Sequence, residues 1–204
     1  ANLGIYIRDG AKTAVEEFNA EHDDIEITLE EFDTQGDPAQ APGQFDKYVA
    51  DEKILGLVGP AFSGETDAVL DSLQAESLVM VSASATRVNL VDKATDVFHR
   101  VLPDDKAQAA GIIQYLEAKI KPKTIAIIHD QTPYGQGLAA DQLATQMPDS
   151  IEIVLQDNFV KGTTDLSAVV GKIESASPDV VFFGGYYEDA GRFKKALADS
   201  GVDA

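Results

Sequence analysis

The chain has 204 residues, 44% of them hydrophobic, which is enough for one large domain or two small lobes with a buried core. Its 35 acidic and 16 basic residues give a formal charge of −19, which argues against nucleic acid or anionic membrane as a main partner, because phosphate binding needs clustered Lys and Arg. Cysteine is absent, so disulfide scaffolds, thiolate zinc sites and cysteine nucleophiles are excluded, and no run of about 18 apolar residues is present to span a membrane.

Helical spacing of Ile7, Ala11, Ala14, Val15 and Phe18 predicts a helix from about Leu3 to His22. Ile25, Ile27 and Leu29 alternate and read as a strand, with Asp33-Thr34-Gln35-Gly36-Asp37-Pro38 as its exit loop. A helix is expected next, running to about Glu52, with Pro42-Gly43 delaying its start. Residues 54–58 read as a buried strand, 65–76 as a helix, 78–82 as a strand and 97–102 as a further strand, stopped by Pro103-Asp104-Asp105. Asp104 is the expected N-cap of a helix running to about Ile120.

After Lys121-Pro122 the rhythm restarts. Strands are predicted over 124–128, 151–155 and 180–183, and helices over 134–147, 166–175 and 188–200, the last closed by Gly201. Strands alternating with helices of ten or more residues mean an α/β protein with parallel sheets covered on both faces. No internal repeat, coiled coil or low-complexity tract interrupts the pattern. The chain opens on a helix with no strand before it and stops at Gly201-Val202-Asp203-Ala204, where another strand is due. The expectation is a fragment of a longer protein, with sheet edges unpaired and apolar surface exposed.

The loops at the strand ends carry the functional signal. Gly59-Pro60-Ala61-Phe62-Ser63-Gly64-Glu65-Thr66 takes the chain from an apolar strand into a helix, offering backbone N–H groups and the Ser63 and Thr66 hydroxyls to an anion such as a carboxylate. Ser82-Ala83-Ser84-Ala85-Thr86 follows the next strand, with small residues that let backbone approach a ligand. In the second half, His129-Asp130-Gln131-Thr132-Pro133-Tyr134-Gly135 and Gly184-Gly185-Tyr186-Tyr187-Glu188 hold equivalent places and supply tyrosines, apolar faces with a polar tip. Open α/β sheets bind ligands at the carboxyl ends of their strands. A carboxylate grip on one side and aromatic walls on the other suit an amino acid or a similar small acid.

Catalytic and metal readings find less support. His129-Asp130 lies at a strand end, where general bases occur, but no paired nucleophile is visible, and a histidine satisfied by backbone or by Asp130 is the simpler reading. Phe62-Ser63-Gly64 lacks the first glycine of a G-x-S-x-G elbow, no Gly-Lys-Ser/Thr ends a phosphate loop, and no G-x-G-x-x-G opens a helix, so no cofactor is expected. His22 and His99 have no ligand-spaced partner for zinc, and Asp33 and Asp37 read as capping and turn residues rather than a calcium loop. Tyr115 reads as packing.

With these residues in view the chain resembles the leucine/isoleucine/valine-binding protein family, the type I solute-binding proteins of branched-chain amino acid ABC transporters. The resemblance covers nearly all of the chain. It is strongest in Thr124-Ile125-Ala126-Ile127-Ile128-His129-Asp130, Tyr134-Gly135-Gln136-Gly137-Leu138-Ala139 and Val181-Phe182-Phe183-Gly184-Gly185-Tyr186-Tyr187, and Asp37-Pro38-Ala39-Gln40-Ala41 and Phe98-His99-Arg100 also fit. It implies the type I periplasmic binding protein fold, two Rossmann-like lobes with parallel sheets flanked by helices, present here in truncated form. The first lobe would be 1–103, lacking its first strand, and the second 104–204, lacking its C-terminal strands.

The resemblance further implies an amino acid, branched-chain or another small aliphatic one, trapped between the lobes. Ser63 would contact its carboxylate, Ser84, Ala85 and Thr86 would hold carboxylate and ammonium through backbone and hydroxyl, and Tyr134 and Tyr186 would close over it. No reaction is catalysed on this reading. The implied partners are the amino acid and a membrane ABC permease; the whole protein would be a monomer, periplasmic or extracellular, free or held at the cell surface by a lipid. Family members with a first-lobe disulfide have cysteines where this chain has Gly36 and Phe62, so that staple is absent. The acidic residue that pairs with the ligand ammonium would fall just beyond Ala204. A ligand-sensing domain of a receptor or regulator on the same bilobal fold is the alternative.

Overall fold

A helix of 20 residues, α1 (Asn2–Glu21), comes first, as the periodicity predicts. The structure, a computed structural model, describes residues 2–49, 51, 53–94 and 96–202. It divides into two compact units, 1–102 and 103–204.

In the first unit, Ile7, Ala11, Val15 and Phe18 of α1 form a half-buried stripe, while Ala14 is exposed. The strand expected over Ile25, Ile27 and Leu29 does not form. Apolar alternation makes a segment competent for a sheet, but a strand also needs a partner's ladder, and none pairs with it among the described residues. Its place is held from α1 instead. The Asn19 amide donates to the Ile27 carbonyl and accepts the Ile27 N–H, both at 2.8 Å, so one side chain supplies the two bonds a strand neighbour would give.

The exit loop behaves as read. Asp33 accepts the N–H of Gln35 and Asp37 that of Ala39, each at 2.8 Å. Gly36 there has φ +70°, and a Cβ on it would come within 3.2 Å of the Phe62 ring. An aromatic ring thus covers a glycine at the two positions where the resemblance puts a disulfide.

Helix α2 (Ala41–Val49) begins before Pro42, so Pro42-Gly43 does not delay it. First-turn N–H groups have no intrahelical acceptor, and a proline there loses nothing. The expected end at Glu52 lies outside the described residues.

Three short parallel strands follow, β1 (Leu57–Val58), β2 (Met80–Ser82) and β3 (Phe98–Arg100), in the order β1-β2-β3. Leu57 pairs with Met80, and Met80 with Phe98. Helix α3 (Ser63–Glu76) leads from β1 to β2, and a short helix, α4 (Leu90–Lys93), which the pattern does not reveal, precedes β3. Phe45, Val69, Leu70, Leu73, Met80, Leu90 and Phe98 form the core.

The expectation of a buried strand over 54–58 is corrected, because among the described residues β1 is an edge paired on one side only. Leu55, Val58, Val79 and Val101 are between 42% and 83% exposed, so among the described residues this sheet is not sealed on both faces.

In the second unit, Asp104 caps α5 (Asp105–Tyr115) by accepting the Ala107 N–H at 2.9 Å. The helix widens to π geometry over Leu116–Ile120 and stops at Lys121, φ +57°. Strand β4 (Thr124–His129) is next, then a helical run made of α6 (Pro133–Gln136), a π segment (Gly137–Leu143) and α7 (Ala144–Gln146). β5 (Glu152–Asn158), α8 (Ser167–Ala176), β6 (Val180–Gly184) and α9 (Tyr187–Asp199) complete it, with Gly201 at φ +78° just past the end.

The strands are parallel in the order β5-β4-β6. β4 is central and its side chains alternate between two cores, as the period of 2 requires. Ile125 and Ile127 pack with Leu138 and Leu143, whereas Ile128 packs with Phe159, Val170, Ile173 and Phe193. Here the two-faced cover expected from the sequence is present. Tyr115 does not pack; it is 58% exposed, because the buried stripe of this helix runs through Asp105, Ala109, Ile112 and Leu116, and Tyr115 is out of phase with it.

Candidate ligand-binding site

The loop after β2 is held almost entirely by side chains. Ser82 Oγ accepts the N–H groups of Ser84 at 3.3 Å and Ala85 at 2.9 Å. Ser63 Oγ, at the first position of α3 and 2% exposed, accepts those of Thr86 at 3.2 Å and Arg87 at 3.3 Å. The Ser84 hydroxyl donates to the Ala61 carbonyl. From β3, Arg100 Nη1 donates to the carbonyls of Ala85 at 3.3 Å and Arg87 at 2.8 Å, one on each side of Thr86.

The structure therefore brings Ser63, Ser84, Ala85 and Thr86 together, with four consecutive amides engaged by two serine hydroxyls. Two side-chain oxygens of the segment between β2 and α4, Thr86 Oγ1 and Asn89 Oδ1, are left over. Thr86 Oγ1 is buried and has no hydrogen-bond partner. A buried hydroxyl without a partner carries a desolvation penalty that a ligand group can relieve. Thr66 does not join the cradle as the sequence reading has it: it is fully buried, and its hydroxyl donates to the Phe62 carbonyl one turn back. Glu65 closes the helix start by accepting the Phe62 N–H at 3.2 Å.

In the second unit the two tyrosines meet. Tyr134, in the first turn of α6, and Tyr186, just before α9, have ring centres 5.3 Å apart at a tilt of 33°. Both are half-buried. The Gln108 amide donates to the Tyr134 hydroxyl at 3.5 Å, and Lys161 Nζ lies 5.4 Å from the Tyr186 ring centre. Burial pushes the Tyr134 phenol above its ordinary 10.0, and the Asp105 and Asp130 charges push the same way against the Gln108 bond.

Asp130 joins these loops. It is fully buried, and its Oδ1 accepts the N–H of Thr132 at 3.0 Å and the Thr132 hydroxyl, while Oδ2 accepts the N–H of Tyr186 at 3.2 Å. Its own N–H donates to the Gly184 carbonyl, and its carbonyl accepts from Lys161 N. The carboxylate fits because two glycines, Gly135 and Gly185, give way to it, and Gly184 lets Gly135 come close. A Cβ on Gly135 would lie 2.3 Å from Asp130 Oδ1, one on Gly185 2.6 Å from Oδ2, and one on Gly184 2.7 Å from the Gly135 carbonyl.

His129 is satisfied by backbone, since its Nδ1 accepts the Gln131 N–H at 3.1 Å, which puts a neutral ring's proton on Nε2. Burial lowers its pKa below the ordinary 6.5, against the opposing pull of Asp130, Asp141 and Asp157.

Sequence reasoning found the strand-end loops but passed over Ser82, Arg100 and Asp130 as parts of the site. The available signals were a serine closing β2, an arginine closing β3, and glycines clustered in the two loops that flank Asp130.

Over residues 1–204 the chain matches the family described as periplasmic binding protein. It is 34% identical over 206 residues to the Leu/Ile/Val-binding protein BraC3 of Rhizobium johnstonii, covering 100% of this chain and 56% of that protein. With the leucine-, isoleucine-, valine-, threonine-, and alanine-binding protein of Pseudomonas aeruginosa it shares 28% identity over 206 residues, covering 100% of this chain and 55% of the relative.

Among solved structures, the branched-chain amino acid transporter substrate binding protein LivJ from Streptococcus pneumoniae, in complex with isoleucine, matches with a TM-score of 0.88 at 28% identity, over 98% of this chain and 57% of that one. The periplasmic binding protein type 1 from Bordetella pertussis matches in fold, with a TM-score of 0.91 at 24% identity over 99% and 56% of the two chains. The chain thus spans a little over half the length of these relatives. Among the described residues no helix is long and apolar enough to cross a membrane. With a parallel α/β sheet in each unit and these relatives along its whole length, the chain belongs to the periplasmic binding protein family and has its type I fold.

Proposed function

We propose that this chain is part of an extracytoplasmic solute-binding protein that captures an amino acid, branched-chain or another small aliphatic one, and presents it to a membrane ABC permease. The observation that carries the reading is the Thr86 hydroxyl, buried and unpartnered in a loop whose amides are otherwise engaged. Such a group is suited to one oxygen of a ligand carboxylate. The first unit grips the carboxylate through Thr86, with Ser63, Ser84 and Ala85 shaping the loop. The second supplies the aromatic walls, Tyr134 and Tyr186. The lobes are those the resemblance bounds at 1–103 and 104–204, one residue from the units 1–102 and 103–204.

The ligand is bound and released unchanged, and its preference for one conformation of the protein drives the change the permease reads. The whole protein acts as a monomer outside the cytoplasm, where it is free or held to the surface by a lipid. The names of the relatives support the ligand class. Calorimetric titration of the intact protein with leucine, isoleucine, valine, threonine and alanine tests it. Saturable binding of at least one at a single site is expected; no heat from any of the five overturns the reading.

A further inference from the structure

We propose that Asp130 is a positioning residue that fixes Tyr134 and Tyr186 against each other and thereby sets the affinity for ligand. This rests on the amino-acid-binding reading above. Oδ2 holds the backbone of Tyr186 directly. Oδ1 holds Thr132 through both its N–H and its hydroxyl, and the Thr132 hydroxyl in turn accepts the Gly135 N–H at 3.0 Å, capping the turn that carries Tyr134. One buried carboxylate therefore bonds both the backbone of Tyr186 and the cap of the turn that carries Tyr134, two residues 52 positions apart whose rings touch.

The chemistry at this point is selective. Every group converging on the two oxygens is a donor, and only an ionised carboxylate offers acceptors on both sides. An asparagine has the same shape but must turn its NH2 toward either the Tyr186 N–H or the Thr132 N–H, setting donor against donor. The surrounding space is equally particular, because Gly135 and Gly185 come from different loops and a Cβ on either would overlap the carboxylate. Two loops have given up side chains around a carboxylate that has no exposed surface.

The test uses three variants of the intact protein, Asp130→Asn, Thr132→Val and Thr132→Ser, each measured in two ways. Binding of isoleucine is followed by calorimetry. The Tyr134–Tyr186 ring contact is followed in the ligand-free protein by nuclear Overhauser effects between selectively labelled tyrosines.

Asp130→Asn and Thr132→Val should weaken isoleucine binding about tenfold or more, the scale of a lost buried hydrogen-bond partner, and should weaken the ring contact. Thr132→Ser, which keeps the hydroxyl, should restore both. Thr132→Val carries the test should the asparagine variant not fold. An undisturbed ring contact in the variants that fold overturns the proposal, whatever happens to affinity. A wild-type protein that ignores isoleucine and the rest of the amino-acid panel overturns the functional reading, while the ring contact still decides the positioning role.

Discussion

The hydroxyl of Ser63 accepts the backbone N–H of Thr86 at 3.2 Å, across 23 residues of sequence, while the Thr86 hydroxyl has no partner of its own. The two residues therefore answer differently to truncation. Thr86→Val should leave the melting temperature of the ligand-free protein unchanged or slightly raised, because it removes an unsatisfied polar atom, and should weaken amino-acid binding by about 1–3 kcal/mol. Ser63→Ala strands two amides and should lower unfolding stability by about 1–3 kcal/mol as well as affinity. Denaturant titration beside calorimetry separates them; a Thr86→Val protein with wild-type affinity removes that hydroxyl from the site.

Glycines in the second unit divide in the same way. Gly135→Ala would drive a methyl to 2.3 Å from Asp130 Oδ1 and 2.5 Å from the Gly184 carbonyl, so a loss of about 3 kcal/mol or more is expected. Gly171, inside α8, has open space around it, and Gly171→Ala should stabilise by about 0.5–1 kcal/mol by restoring helix propensity. Urea unfolding midpoints of the pair test this, and equal effects would contradict the assignment of Gly135 to the Asp130 enclosure.

Acidification should cost stability through His129. Its folded pKa lies below the ordinary 6.5 because burial disfavours the imidazolium, so the unfolded chain takes up the proton first. The contribution is complete above pH 6.5 and is lost as pH falls from there through the folded pKa. Thermal melts between pH 7.5 and 5 should fall more steeply for the wild type than for His129→Gln, and parallel curves would dismiss the effect.

A charge of −19 on 204 residues makes the folded chain repel itself. Raising ionic strength from about 0.01 M to about 1 M shortens the Debye length from about 30 Å to about 3 Å and should raise the melting temperature. A melting temperature that stays flat or falls over a potassium chloride series would show that the acidic groups are already compensated by local pairing.

Long periodic segments were legible because their signal is local. The stripe of α1, the apolar run of β4, and the caps at Asp104 and Gly201 need no knowledge of the rest of the chain. The segment around Ile27 misled because a strand is defined by its neighbour, and the neighbour proved to be the amide of Asn19. Leu55 and Val58 misled because their hydrophobicity says nothing about whether a sheet continues on the far side.

At the site, the strand-end positions of Ser63, Thr86, Tyr134 and Tyr186 could be read from spacing. The direction in which each hydroxyl bonds could not be, so Ser63, which accepts from the loop, and Thr66, which bonds within its own helix, looked alike. Asp130 was hidden by its neighbour: beside His129 it resembled half of an acid–base pair, whereas its partners lie 2 and 56 residues away.

The ring of Phe62 resting on Gly36 changes what this unit requires of its surroundings. A cystine bridge needs an oxidant to close and persists as a tether in the denatured chain. A phenyl group laid on bare backbone closes whenever the polypeptide folds and lets go when it melts. Thiol reagents, oxygen tension and the supply of disulfide-forming enzymes should therefore leave the yield of this half of the molecule untouched.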